Sequence, residues 1–166
     1  MSSLNDFFVW QPLKLIFLAI IIFSHEDNNQ ETPSHFAILN NRVLIIKYLL
    51  EQGAQVNAKD HDERTPLHLA IYQNKQEIAK YSIVRGKANV NAFDINGNTP
   101  MHYFSMKGDL NMIQYLVNKG ADIHQENNTG KTPLDILREK GYEVAGIIKH
   151  FESNVTMIDA VKHNDI

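Results

Sequence analysis

The sequence predicts an all-α repeat solenoid, built from helix-turn-helix units joined by hairpin-like loops. Three observations carry this. Thr-Pro recurs at Thr32-Pro33, Thr65-Pro66, Thr99-Pro100 and Thr132-Pro133, at intervals of 33, 34 and 33 residues. Asn41, Asn74, Gly108 and Gly141 each stand nine residues after a Thr. Gly53, Gly86 and Gly120 each stand 21 residues after one.

Each element follows from local chemistry. Pro is well placed just inside a helix start, where its missing N–H would have no partner. Thr before it can cap the free amides. So "TPSHFAI", "TPLHLAI", "TPMHYFS" and "TPLDILR" each open a first helix. Asn and Gly accept a positive φ most readily, so these helices should end in left-handed caps at Asn41, Asn74, Gly108 and Gly141. Second helices follow, with apolar residues at helical spacing, such as Leu44, Ile45, Tyr48 and Leu49. Gly53, Gly86 and Gly120 stop them. Loops such as "DINGN" and "NNTGK" carry turn chemistry. The longer interval is a Lys87 insertion after Gly86, in a connecting loop where an extra residue costs little.

Bulk properties exclude several function classes. The chain has 166 residues, enough for a real core, with 43% hydrophobic and 21% charged residues. A net charge of -3, with both signs interspersed, argues against a nucleic-acid partner or a polybasic membrane arm. There is no Cys, hence no disulfide, thiol nucleophile or Cys-ligated metal. A cytoplasmic location is expected, since such a chain suits a reducing compartment.

The run Thr65-Pro66-Leu67-His68-Leu69-Ala70 within a 33-residue period resembles the ankyrin repeat at every fixed position of its T-P-L-H-x-A motif. The resemblance extends from Thr32 to about Ile148. It implies repeats over 32–64, 65–98 and 99–131, an atypical one over 132–151, and a C-terminal cap or partial repeat over 152–166. The Lys-, Ile- and Asn-rich composition resembles that of proteins from intracellular bacteria or viruses.

The departures from the family pattern are specific. Gln30 and Glu63 replace the Gly that the family places two residues before Thr, and Gly97 and Gly130 keep it. A non-Gly residue there costs roughly 1 kcal/mol, so those two tips are expected to be reshaped or looser. Phe104 and Leu137 are large where Ala37 and Ala70 are small, which predicts local repacking. Ser82 replaces an expected Leu and should weaken its layer.

The 8 His residues raise a metal or catalytic reading. The resemblance makes His35, His68 and His102 structural, bonding across the turn and to neighbouring loops. Asp135 takes the same place in the last repeat. One His per layer, with layers about 8–10 Å apart, is too sparse to share a metal. "GKT" at Gly130-Lys131-Thr132 lacks the phosphate-loop Gly, since Gln125 stands at that position. No catalysis and no cofactor are expected.

The family resemblance implies that a protein partner binds the concave face, formed by hairpin tips and first-helix residues. Register places Arg64 and Tyr72 there from one layer. Phe93, Ile95, Asn98, Met106 and Lys107 come from the next, and Lys131 from the one after. The apolar members are the expected anchors. A monomer binding one unidentified protein is expected.

The N-terminal run "LKLIFLAIIIF" has a second reading. In register, residues 1–31 are a degenerate half repeat, with Asp27 to Thr32 as a hairpin-like loop and Ile16, Ile20 and Phe23 packed on the next repeat. Leu15 to Phe23 is too short to span a membrane but has the length of a signal-peptide core. The alternative is therefore a secreted or membrane-tethered ankyrin effector, with a hydrophobic leader through residues 7–23.

Overall fold

The computed structural model describes residues 30–149 and 151. The expectations for Ile16, Ile20, Phe23 and the loop from Asp27 fall outside those residues, as does the C-terminal partial repeat. The chain divides into two compact units, Met1–Ala88 and Asn89–Ile166.

In the first unit, α1 (Pro33–Leu39) and α2 (Val43–Glu51) form one helix pair, and α3 (Pro66–Tyr72) and α4 (Gln76–Val84) form the next. First helix packs on first helix and second on second. The core is aliphatic: Ile38, Ile46, Leu67, Leu69, Ile71 and Ile78 are all buried, and Ala37, Ala70 and Ala79 let the helices approach. In the second unit, α5 (Pro100–Lys107) packs on α6 (Leu110–Val117) and on α7 (Pro133–Glu139), and a further helical stretch covers 144–149. Met101, Phe104, Met112, Ile113, Leu116 and Leu137 fill its core.

The helix boundaries follow the local chemistry of the sequence. Every first helix starts with Pro directly after an extended Thr. The expected left-handed residues are found, with φ of 55° at Asn41, 60° at Asn74, 72° at Gly108 and 87° at Gly141. No strand occurs among the described residues. Each loop tip is instead a single hydrogen-bonded reversal: the Asp94 amide donates to the Asn98 carbonyl at 3.0 Å, and the Gly97 amide to the Asp94 carbonyl at 2.9 Å. The Asp60–Arg64 and Asn127–Lys131 tips repeat this pattern.

Three expectations need correcting or refining. The tip at Glu63 is not reshaped: Glu63 adopts the glycine conformation with φ of 56°, as does Gln30. At Glu63 the turn is held by its own amide, which donates to the Asp60 carbonyl at 2.8 Å. Gly86 is not a left-handed stop. Lys87, the inserted residue, takes that role with φ of 55°. Gly86 is needed for space instead, because a Cβ there would lie 2.8 Å from the Ser82 carbonyl oxygen and 3.0 Å from the Val56 side chain. Finally, the large Phe104 is fully buried and is followed by a buried Ser105, where α1 and α3 carry Ala37-Ile38 and Ala70-Ile71. Large and small residues have exchanged places along the helix, which conserves volume.

Candidate functional site

The hairpin bases are built around one acidic or amide side chain per tip. In the first unit Asp60, almost wholly buried, accepts through Oδ1 from the amides of Asp62 (3.0 Å) and Arg64 (2.8 Å). Its Oδ2 accepts from Arg64 Nε at 2.9 Å. Arg64 also meets Asp62 at 2.9 Å. The predicted contact residue Arg64 thus spends its guanidinium on its own tip. In the second unit Asp94 Oδ1 accepts from the amides of Asn96 and Asn98, and Oδ2 from the Tyr103 hydroxyl at 2.5 Å. Asn127 does the same for the next tip, taking the amides of Thr129 and Lys131 at 3.0 and 3.1 Å.

The recurrent histidines belong to this scaffold. His35 Nδ1 accepts from the Thr32 amide (3.1 Å) and hydroxyl (2.8 Å), and its Nε2 donates to the Arg64 carbonyl at 2.9 Å. His102 repeats the arrangement with Thr99 and the Lys131 carbonyl, at 3.1, 2.9 and 3.0 Å. This network assigns the neutral tautomer protonated at Nε2. Both ring nitrogens are used, so ligating a metal would break the helix cap at Nδ1 or the bond to the next tip at Nε2. Burial pushes both imidazoles below their ordinary pKa, against the opposing pull of the carbonyl each one bonds. Asp135 substitutes faithfully: its Oδ2 accepts from the Thr132 amide at 3.0 Å and hydroxyl at 2.7 Å. Those bonds hold its carboxyl below the usual range.

The predicted contact residues divide by environment. In the second unit Phe93 and Ile95 flank buried Asp94 on the tip and are 53% and 52% exposed, and Met106 on α5 is 42% exposed. Lys107 is exposed at the end of the same helix. Lys131 pairs with Glu139 at 2.8 Å. Asn98 is only 8% exposed, and its Oδ1 accepts from Asn127 Nδ2 at 2.9 Å, so it holds one tip to the next and offers little to a partner. In the first unit Tyr72, at the end of α3, is 65% exposed. Leu39, at the matching register of α1, is also exposed and was missed by sequence reasoning. Its signal was present, since Leu39, Tyr72 and Met106 each stand seven residues after their Thr.

A family model described as ankyrin repeats (3 copies) matches residues 13–94 and again 80–159. The chain belongs to the ankyrin-repeat family. Its relatives are of several kinds. Alpha-latroinsectotoxin-Lt1a of Latrodectus tredecimguttatus is 46% identical over 54 residues, covering 32% of this chain and 4% of that protein. Alpha-latrocrustotoxin-Lt1a of the same species is 34% identical over 114 residues, covering 69% of this chain and 8% of the relative. Ankyrin repeat protein OPG189 of Variola virus is 34% identical over 132 residues, covering 73% of this chain and 24% of the relative. The chain therefore spans less than a quarter of the length of each of these relatives. The Variola protein bears out the likeness to viral ankyrin proteins seen in the composition. The ankyrin repeat is a protein-interaction module, and the helical repeats found here are of that class. No helix among the described residues is long and apolar enough to cross a membrane.

Proposed function

We propose that this ankyrin array is a non-catalytic module that binds a protein partner on the face formed by its loop tips and the ends of its first helices. The observation that carries this reading is that each unit exposes apolar side chains at its loop tips or first-helix ends, with Leu39, Tyr72 and Met106 at the same register. In the second unit these are Phe93, Ile95 and Met106, and in the first Leu39 and Tyr72. The charged groups of the tips are largely satisfied internally, by Arg64 with Asp60 and Lys131 with Glu139. What each unit offers outward is apolar surface with a polar surround, the composition of a contact patch. Arg64, Lys107 and Lys131 lie at its polar margin, where charges influence association rate more than affinity. The absence of cysteine suits a cytoplasmic location, where we propose that the chain acts as a monomer.

Affinity capture with mass spectrometry on the tagged full chain tests this. A partner recovered by the wild type should be lost by the triple variant Tyr72→Ala, Phe93→Ala, Met106→Ala with its circular dichroism unchanged. Undiminished capture by that folded variant rejects the face. Recovery of the tagged chain in the membrane pellet would reject the cytoplasmic reading in favour of a tethered effector.

A further inference from the structure

We propose that Asn96 is a site of spontaneous deamidation whose rate is set by the fold, with Asn128 as the latch that holds it back. Asn96-Gly97 is the sole Asn-Gly pair in the sequence, and Asn96 is exposed at the tip of its turn. In such a pair the Gly97 nitrogen attacks the Asn96 side-chain carbonyl carbon. A C–N bond forms, ammonia leaves, and a five-membered imide results. Water then opens the imide at either carbonyl, leaving aspartate or isoaspartate. No oxidant or catalyst is needed. Glycine favours the first step because it has no side chain to obstruct the approach and its backbone is mobile.

Ring closure requires the Asn96–Gly97 peptide plane to turn and its N–H to be released. In this tip that plane is held at both ends. The Gly97 amide donates to the Asp94 carbonyl at 2.9 Å. The Asn96 carbonyl accepts from the Asn128 amide at 3.0 Å. Asn128 Nδ2 also donates to the Ile95 carbonyl at 3.0 Å, so Asn128 grips both peptide groups on either side of Asn96. Gly97 itself is crowded by the same residue: a Cβ built there would lie 2.5 Å from Asn128 Oδ1. A peptide plane clamped in this way reacts only when the tip opens, and the rate falls by the population of the open state. Once reaction occurs the change is one-way. Isoaspartate adds a methylene to the backbone between two hydrogen bonds that fit the shorter chain, and aspartate brings a second carboxylate beside buried Asp94.

The test follows the full chain at pH 8 and 37 °C, folded and in urea. The tryptic peptide covering 88–107 is separated into its asparagine, aspartate and isoaspartate forms. Conversion at Asn96 should be about tenfold or more slower in the folded protein than in urea. Asn128→Ala keeps the backbone amide on the Asn96 carbonyl but removes the Nδ2 bond to Ile95 and the side chain packed on Gly97, so it should raise the folded rate severalfold and leave the urea rate unchanged. Asn128→Asp, which preserves shape but loses the donor to Ile95, should also raise it and serves if the alanine variant does not fold. Equal rates in the folded and unfolded chain overturn the proposal. So do folded Asn128 variants that convert as slowly as the wild type.

Discussion

Ser82 and Ser105 are both fully buried, and their hydroxyls have no hydrogen-bond partner. They occupy positions that hold Leu49 and Leu116, or Ile38 and Ile71, in other repeats. A buried hydroxyl without a partner costs about 1–3 kcal/mol. Replacing either by Ala removes the hydroxyl without adding bulk. Ser82→Ala and Ser105→Ala should each stabilise the protein by about 1 kcal/mol, read as a rise of about 2–4 °C in the thermal midpoint. An unchanged or lower midpoint would mean that these hydroxyls are satisfied. The glycines offer a matching contrast. Gly86→Ala forces a Cβ onto the Ser82 carbonyl and should cost about 1–3 kcal/mol by urea titration. At Gly53 a Cβ meets nothing within 4 Å. Gly53→Ala should lose only the left-handed backbone preference, about 1 kcal/mol. If the two variants proved equally destabilised, crowding at Gly86 would not be its reason for being glycine.

Helix α5 shows how an element can break the family pattern and keep its fold. It carries Phe104-Ser105 where α1 and α3 carry Ala-Ile. Phe104→Ala alone leaves a cavity beside an already small Ser105 and should cost about 3–5 kcal/mol. Adding Ser105→Ile restores the order found in the other helices and should recover more than the sum of the single changes, by about 1 kcal/mol or more. A double-mutant cycle in urea checks this, and strict additivity would show that the two residues do not share space. The loop tips tell a similar story. Glu63 holds a left-handed conformation and pairs with Lys59 at 3.0 Å across exposed side chains. An exposed pair contributes little. Glycine would relieve the backbone but lose that pair and add freedom to the unfolded chain. Glu63→Gly should therefore stabilise by less than about 1 kcal/mol in the same assay; a clear loss of stability would mean the ion pair outweighs the backbone cost.

Over the whole molecule, the histidine caps give each unit one group that couples stability to pH. His35 and His102 both have pKa values below the ordinary 6.5 because burial disfavours the charged ring. The unfolded chain therefore binds protons first as the pH falls. Stability is full above pH 6.5 and is lost as the pH drops through the depressed folded values. Protonating Nδ1 would also set a new N–H against the Thr amide that now donates to it. Urea midpoints from pH 8 to 5 should decline below 6.5, and the decline should shrink in His102→Gln relative to its own value at pH 8. An unaltered profile in that variant would assign the decline to other groups.

The sequence by itself determined the period, the helix starts, and the left-handed residues that end the first helices. These depend on backbone preferences that Pro, Thr, Asn and Gly express locally, wherever the chain lies. Even the surface register of Tyr72 and Met106 could be counted from the Thr-Pro sites. Only the tertiary structure decided what depends on neighbours far along the chain. Asn98 looked like a surface amide and is buried against Asn127, 29 residues away. Gly86 read as a helix stop and proved to be a close approach to Val56. Two serines that would be ordinary in an exposed helix lie in the core without partners. Burial and hydrogen-bond satisfaction are sums over whatever packs against a residue, and in a stack of repeats that neighbour comes from another layer.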